Sequence, residues 1–206
     1  MDIPRENLRD EEFCSMIDRL REEIRSTPEG PERSLELLET DDRDRLADVL
    51  TEPRQPLWAR EIAAYRLGVA GDPRAFEALV LLVNHRDPER CVSAAHALVR
   101  LGDPRTARAA AALATNELRV AYALLPVRLL VELRAPESVP ALVTVLERRL
   151  RAAGDPHWRV ALACVEGLGV LGDPRARSCL EAALPHPRLG RAAAESLARL
   201  GDAPDG

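Results

Sequence analysis

Three tetrapeptides of one kind punctuate this chain: Gly71-Asp72-Pro73-Arg74, Gly102-Asp103-Pro104-Arg105 and Gly172-Asp173-Pro174-Arg175. Each combines separate backbone instructions. Glycine directly after an apolar run supplies the left-handed residue that ends a helix. Aspartate accepts the unpaired N–H groups at the start of the next helix, and proline at the first helical position gives up a donor that had no partner there. One helix stops and another starts within adjacent residues, so the chain turns a tight corner. A degenerate copy, Leu133-Arg134-Ala135-Pro136-Glu137-Ser138, lies between the second and third, and Leu200-Gly201-Asp202 forms a last one. With the aspartate position as register (72, 103, 135, 173 and 202), the steps are 31, 32, 38 and 29 residues. A period of this size marks stacked supersecondary units, each too small to bury its apolar face alone.

Between corners each unit divides into two helices. The apolar periodicity and the breaks predict helices over 73–84 and 88–101, 104–115 and 117–133, 136–153 and 156–171, and 174–184 and 188–200. Upstream, 42–50 and 56–69 read as one further pair. The 38-residue step comes from a longer first helix that ends at a second corner, Gly154-Asp155-Pro156. Aromatic residues make up only 3% of a chain that is 46% hydrophobic, so the core must be built from Leu, Val and Ala, as in close-packed helices. The predicted class is all-α, with about five helical hairpins in a row.

The second helices carry a further pattern. Ala59-Arg60 through Asp72, Ala94-Ala95-His96-Ala97-Leu98 through Asp103, and Val160 through Asp173 read roughly V-R-x-A-A-x-A-L-G-x-L-G-D. This resembles HEAT repeats of the short bacterial kind associated with phycobilin lyases, over about residues 42–202. The resemblance implies an α-α superhelix, a HEAT-like solenoid. It is specific for fold and nearly silent on function, because the family hosts scaffolds, lyase subunits and regulators. HEAT-type di-iron hydroxylases use His-Glu pairs within their repeats. No His-Glu dipeptide occurs here, so neither that activity nor its metal is implied, and no cofactor is expected.

Residues 1–41 fall outside the repeat and read as an acidic N-terminal helical cap on a solenoid of residues 42–206. Within the cap, 10–26 is an amphipathic helix with Phe13, Met16, Ile17, Leu20 and Ile24 on one face, and 34–39 is a second short helix. Exposed solenoid ends need polar covers, which such a helix supplies by packing onto the first repeat; the other reading is a partner-binding arm. Residues 1–56 carry 17 acidic and 9 basic side chains, whereas the other 150 carry 17 and 20. All 29 basic residues are Arg, a composition read as coding bias. An acidic start on a nearly balanced body argues against a general nucleic-acid binder, which needs a basic excess. The four cysteines form no C-x-x-C pair, no apolar signal segment is evident, and no run reaches the roughly 18 apolar residues of a membrane span. A cytoplasmic, reduced protein is expected.

The motifs that suggest chemistry dissolve on inspection. Gly167-Leu168-Gly169-Val170-Leu171-Gly172 matches the dinucleotide fingerprint by letter, but it ends a helix instead of linking a strand to one. His85, His157 and His186 sit at breaks, and no histidine has metal-ligand spacing. His96 differs: it lies mid-helix, seven residues before its corner aspartate. The same register gives Tyr65, Arg128, Glu166 and Glu195, with Glu61, Arg100, Glu132, Arg191 and Arg199 as helix-face neighbours. In HEAT folds the second helices line the concave face, so this stripe, with Trp158, is the expected binding surface. Packed helices lie roughly 8–10 Å apart, which puts His96 and Glu166, two steps distant, roughly 20 Å from each other. An acid and a base must reach the same atom. The stripe therefore points to an interaction module gripping a protein or peptide partner. The other reading is an enzyme or lyase-like subunit that holds a small molecule with Trp158, Tyr65 and His96. The corner arginines Arg74, Arg105 and Arg175 are expected to pair with aspartates of adjacent corners.

Overall fold

The computed structural model describes residues 11–152 and 154–201, and among these every regular element is helical. Twelve α-helices follow one another: α1 (Glu11–Ser26), α2 (Gly30–Glu39), α3 (Arg43–Thr51), α4 (Leu57–Val69), α5 (Phe76–Val83), α6 (Pro88–Leu101), α7 (Arg105–Ala114), α8 (Leu124–Leu133), α9 (Ser138–Arg151), α10 (Trp158–Leu171), α11 (Arg177–Ala183) and α12 (Gly190–Gly201). They fall into two compact units, 1–106 and 107–206.

The corners are built as their residues dictate. Gly71, Gly102, Gly154 and Gly172 have φ of 72, 66, 68 and 70°. An added Cβ would meet nothing within 4 Å at any of the four, so it is the left-handed backbone, not space, that calls for glycine. Asp72, Asp103, Asp155 and Asp173 each accept the N–H two residues on, at 3.0, 2.9, 3.0 and 2.8 Å. Where the degenerate corner lacks glycine, Arg134 takes the left-handed conformation itself, at φ 49°. Asp202 of the last copy lies outside the described residues.

The corner arginines depart from the expectation. Each forks back onto its own aspartate: the Nε and terminal amine of Arg74 donate to Asp72 at 2.9 and 2.7 Å, with the same arrangement for Arg105 on Asp103 and Arg175 on Asp173. Two residues of spacing bring the fork within reach without any help from a neighbouring repeat. Cross-repeat pairing is secondary and goes to helix residues: Arg74 to Asp44 at 2.7 Å and Arg105 to Glu77 at 3.5 Å. The guanidinium of Arg105 also lies 3.9 Å over the Phe76 ring. The arginine partners hold the carboxyls of Asp72, Asp103 and Asp173 below the usual range, mainly through these side-chain hydrogen bonds.

In the first unit α3 pairs with α4 and α5 with α6, and the second helices α4 and α6 pack against each other. In the second unit α9 pairs with α10 and α11 with α12, while α10 lies between α8 and α12. Gly167 faces Val131 of α8, and Gly169 faces Ser196 of α12, close enough that a Cβ would stand 2.4 Å from either side chain. The letters of the dinucleotide fingerprint are thus helix-packing positions. The predicted helix over 117–133 is broken: Glu117–Tyr122 forms 3-10 turns with a kink at Arg119, and α8 begins only at Leu124. Pro126 explains this, because its ring would clash with the carbonyl of residue 122 in a continuous helix but is tolerated in a first turn. Cys164 and Cys179 are buried among these helices, and burial raises both thiols, Cys179 to about 11. They are protonated core side chains, not nucleophiles.

Candidate functional site

Helix α1 is amphipathic, and its apolar face is spent inside the first unit. Phe13, Met16, Leu20 and Ile24 are buried, and the helix packs on α4 and α6, the second helices of two hairpins. Burying side chains of this size is worth roughly 1.5–3 kcal/mol each before chain ordering is subtracted. A polar clasp accompanies it. Glu61 of α4 pairs with Arg19 of α1 and Arg90 of α6, and Arg90 also pairs with Glu23 of α1. Glu61 and Arg90 keep only 2% and 6% of their side-chain surface, so they depend on each other for solvation. The end of α1 is tied down by the Trp58 indole N–H, which donates to Thr27 Oγ1 at 3.0 Å.

This changes the expected stripe. Tyr65 and Glu61, placed on an open surface by their register, are buried. The Tyr65 ring lies 5.3 Å from that of Phe13 and stacks parallel to His96 at 6.0 Å between centroids. Neither Tyr65 nor Glu61 is open to a partner while α1 is seated. His96 is half-buried and Arg100 exposed at the end of α6. The physical reason is simple: repeat register fixes which face of a helix points inward along the stack, but not whether a segment outside the repeat lies on it.

The second unit keeps its face open. Leu124, Arg128 and Val131 of α8 and Trp158, Leu162, Glu166 and Val170 of α10 line a groove of about 410 Å³. The α10 residues recur every four positions, one helix face running the length of the trough. Arg128, Glu166 and Val170 are exposed along it. Trp158 stands at one end, with the guanidiniums of Arg188 and Arg159 at 5.0 and 5.5 Å from its ring centre. Of the predicted site residues, Arg128, Trp158 and Glu166 are brought together here. Glu195 lies on α12, paired with Arg191 at 2.9 Å, and does not line the groove. Sequence reasoning missed Arg19, Glu23 and Arg90 of the clasp, and Leu124, Leu162 and Val170 of the groove floor. The four-residue spacing from Trp158 was the signal available for the last two. Among the described residues no cluster of three His, Cys, Asp or Glu is placed to hold a metal ion, and no helix is long and apolar enough to cross a membrane.

Residues 146–205, which include the end of α9 and all of α10, α11 and α12, match the family of HEAT repeats. Curated protein sequences give no significant match. Among solved structures, human deoxyhypusine hydroxylase in complex with glycerol is similar, at 21% identity over 77% of this chain and 73% of that one, with a TM-score of 0.30. A likeness of that size carries nothing about activity to this chain. The fold is an all-helical one of the α-α solenoid type, and residues 146–205 match HEAT repeats.

Proposed function

We propose that the chain is a protein-interaction module, an adaptor or regulatory HEAT-repeat scaffold, and that its second unit grips a segment of a partner protein in the groove between α8 and α10. The observation that carries this reading is the groove itself. A trough of about 410 Å³ with an apolar floor and a tryptophan at one end is lined by Arg128, Arg159 and Glu166. Interface sites that carry binding energy combine a rigid aromatic anchor with arginine and an apolar centre. An exposed trough along two helices suits an extended ligand, whereas small-molecule sites enclose most of their ligand. The clasped face of the first unit, with Tyr65 and Glu61 beneath α1, is in this reading internally satisfied.

The test is a photo-crosslinking amino acid in place of Leu162, with Leu184 as an exposed control outside the groove. Discrete protein adducts at Leu162 that are absent at Leu184, and lost when Trp158→Ala is added, are expected. If Leu162 gives no protein adduct while mass spectrometry of the purified chain finds a bound metabolite, the groove is a small-molecule site and the interaction reading is wrong.

A further inference from the structure

The first unit contains an example of how a face of this kind is covered, and it specifies the occupant of the second; this rests on reading the α8–α10 groove as a protein-binding site. Counted back from the corner positions, Glu61 and Tyr65 of α4 correspond to Leu124 and Arg128 of α8 and to Leu162 and Glu166 of α10. In the first unit Glu61 and Tyr65 are buried, with α1 packed on α4 and α6, while the α6 residues in the same register, Val92 and His96, are exposed and half-buried respectively. Helix α1 places apolar side chains at 13, 16, 20 and 24 against the seam and reaches outward with charges, Glu23 meeting Arg90. In the second unit the matching positions line the groove, and Arg128 and Glu166 are exposed there.

Arginine outnumbers carboxylate around that groove. Arg128 and Arg159 line it, Arg188 stands over Trp158, and Glu166 is the one acidic lining residue. The chain as a whole carries a net charge of −5, so the local excess of arginine is a property of this site. A seam between two helices accepts a third when side-chain ridges fit between theirs. An amphipathic helix in an apolar groove is read through residues at i, i+3 or i+4, and i+7. Arginine around an aromatic ring favours carboxylates on the partner, chiefly by steering and by rejecting cationic alternatives.

We propose that the α8–α10 groove binds an acidic amphipathic helix of a partner protein, its apolar face on Leu124, Leu162 and Val170 and its carboxylates toward Arg128, Arg159 and Arg188. The helix α1 is the intramolecular counterpart of that ligand.

The probes are three fluorescein-labelled 16-residue peptides read by anisotropy against the full chain. One carries leucines at the spacing of 13, 16, 20 and 24 with glutamate on its flanks; the second replaces every glutamate by arginine; the third scrambles the leucines. The acidic amphipathic peptide is expected to bind, the other two at least tenfold more weakly. Arg128→Glu with Arg159→Glu should weaken the acidic peptide at least tenfold and admit the basic one. Trp158→Ala should weaken the acidic peptide with unchanged helical circular dichroism. Equal binding of acidic and basic peptides, or no effect of the charge reversal, overturns the proposal while leaving the groove a protein-binding site. Self-association of the chain that is lost on Trp158→Ala would make the occupant a second copy and also overturn it. Failure of all three peptides together with an empty crosslink at Leu162 removes the interaction reading itself.

Discussion

At the scale of single residues, the corners show how few atoms decide the topology. Asp72 caps a helix start through its Oδ1 and is gripped by Arg74, which lowers its carboxyl from the usual range near 3.8. A carboxyl with a depressed folded value contributes stability above its unfolded pKa and loses it as the pH falls through the folded one. Asp72→Asn keeps a capping side chain but removes the charge. It should be less stable than the parent at pH 7, with the gap closing below about pH 4 in thermal melts. Gly102→Ala should cost about 1 kcal/mol from its left-handed backbone alone, or roughly 2–4 °C in Tm. These residues were legible in the sequence because capping and left-handed turns are local. The arginine fork was misread because pairing two residues back needs less chain than pairing across repeats.

At the scale of elements, helix contacts follow side-chain volume at the seam. Gly169 lies against Ser196 of α12, where a Cβ would stand 2.9 Å from the Ser196 Cα, a backbone atom that cannot swing aside. Gly169→Ala should therefore lower stability in urea melts more than Gly102→Ala, although its own backbone is ordinary helix. The clasp of α1 makes a sharper prediction. Arg90→Ala leaves Glu61 buried with Arg19 alone and should cost about 3–5 kcal/mol. It should also speed amide exchange through Glu11–Ser26, whereas Glu23→Gln at the exposed edge should change stability by no more than about 1 kcal/mol. That α1 is a helix with an apolar face was readable from Phe13, Met16, Leu20 and Ile24. Where that face docks was not, since α1 belongs to no repeat and its partners Glu61 and Arg90 come from other helices.

At the scale of the whole molecule, each unit presents the inner positions of its second helices differently. In the first, α1 and its clasp satisfy those of α4; in the second, α8 and α10 leave a groove with Trp158 at its end. Repeat register placed Arg128 and Glu166 on one surface from the sequence alone, because a fixed period fixes the face; Trp158 lies outside that register and was added to the stripe separately. The same register put Tyr65 and Glu61 on an open surface, which α1 covers. The acidic excess in the first 56 residues has one structural expression in Glu23 of the clasp, which meets Arg90. The α8–α10 face is the proposed seat of an acidic amphipathic helix. Hydrogen–deuterium exchange of the full chain with and without the acidic amphipathic peptide addresses this directly. Slowed exchange confined to 124–133 and 158–171, and abolished by Arg128→Glu with Arg159→Glu, is the predicted result. Protection that appears instead over 57–69 and 88–101, or none at a saturating peptide concentration, would contradict it.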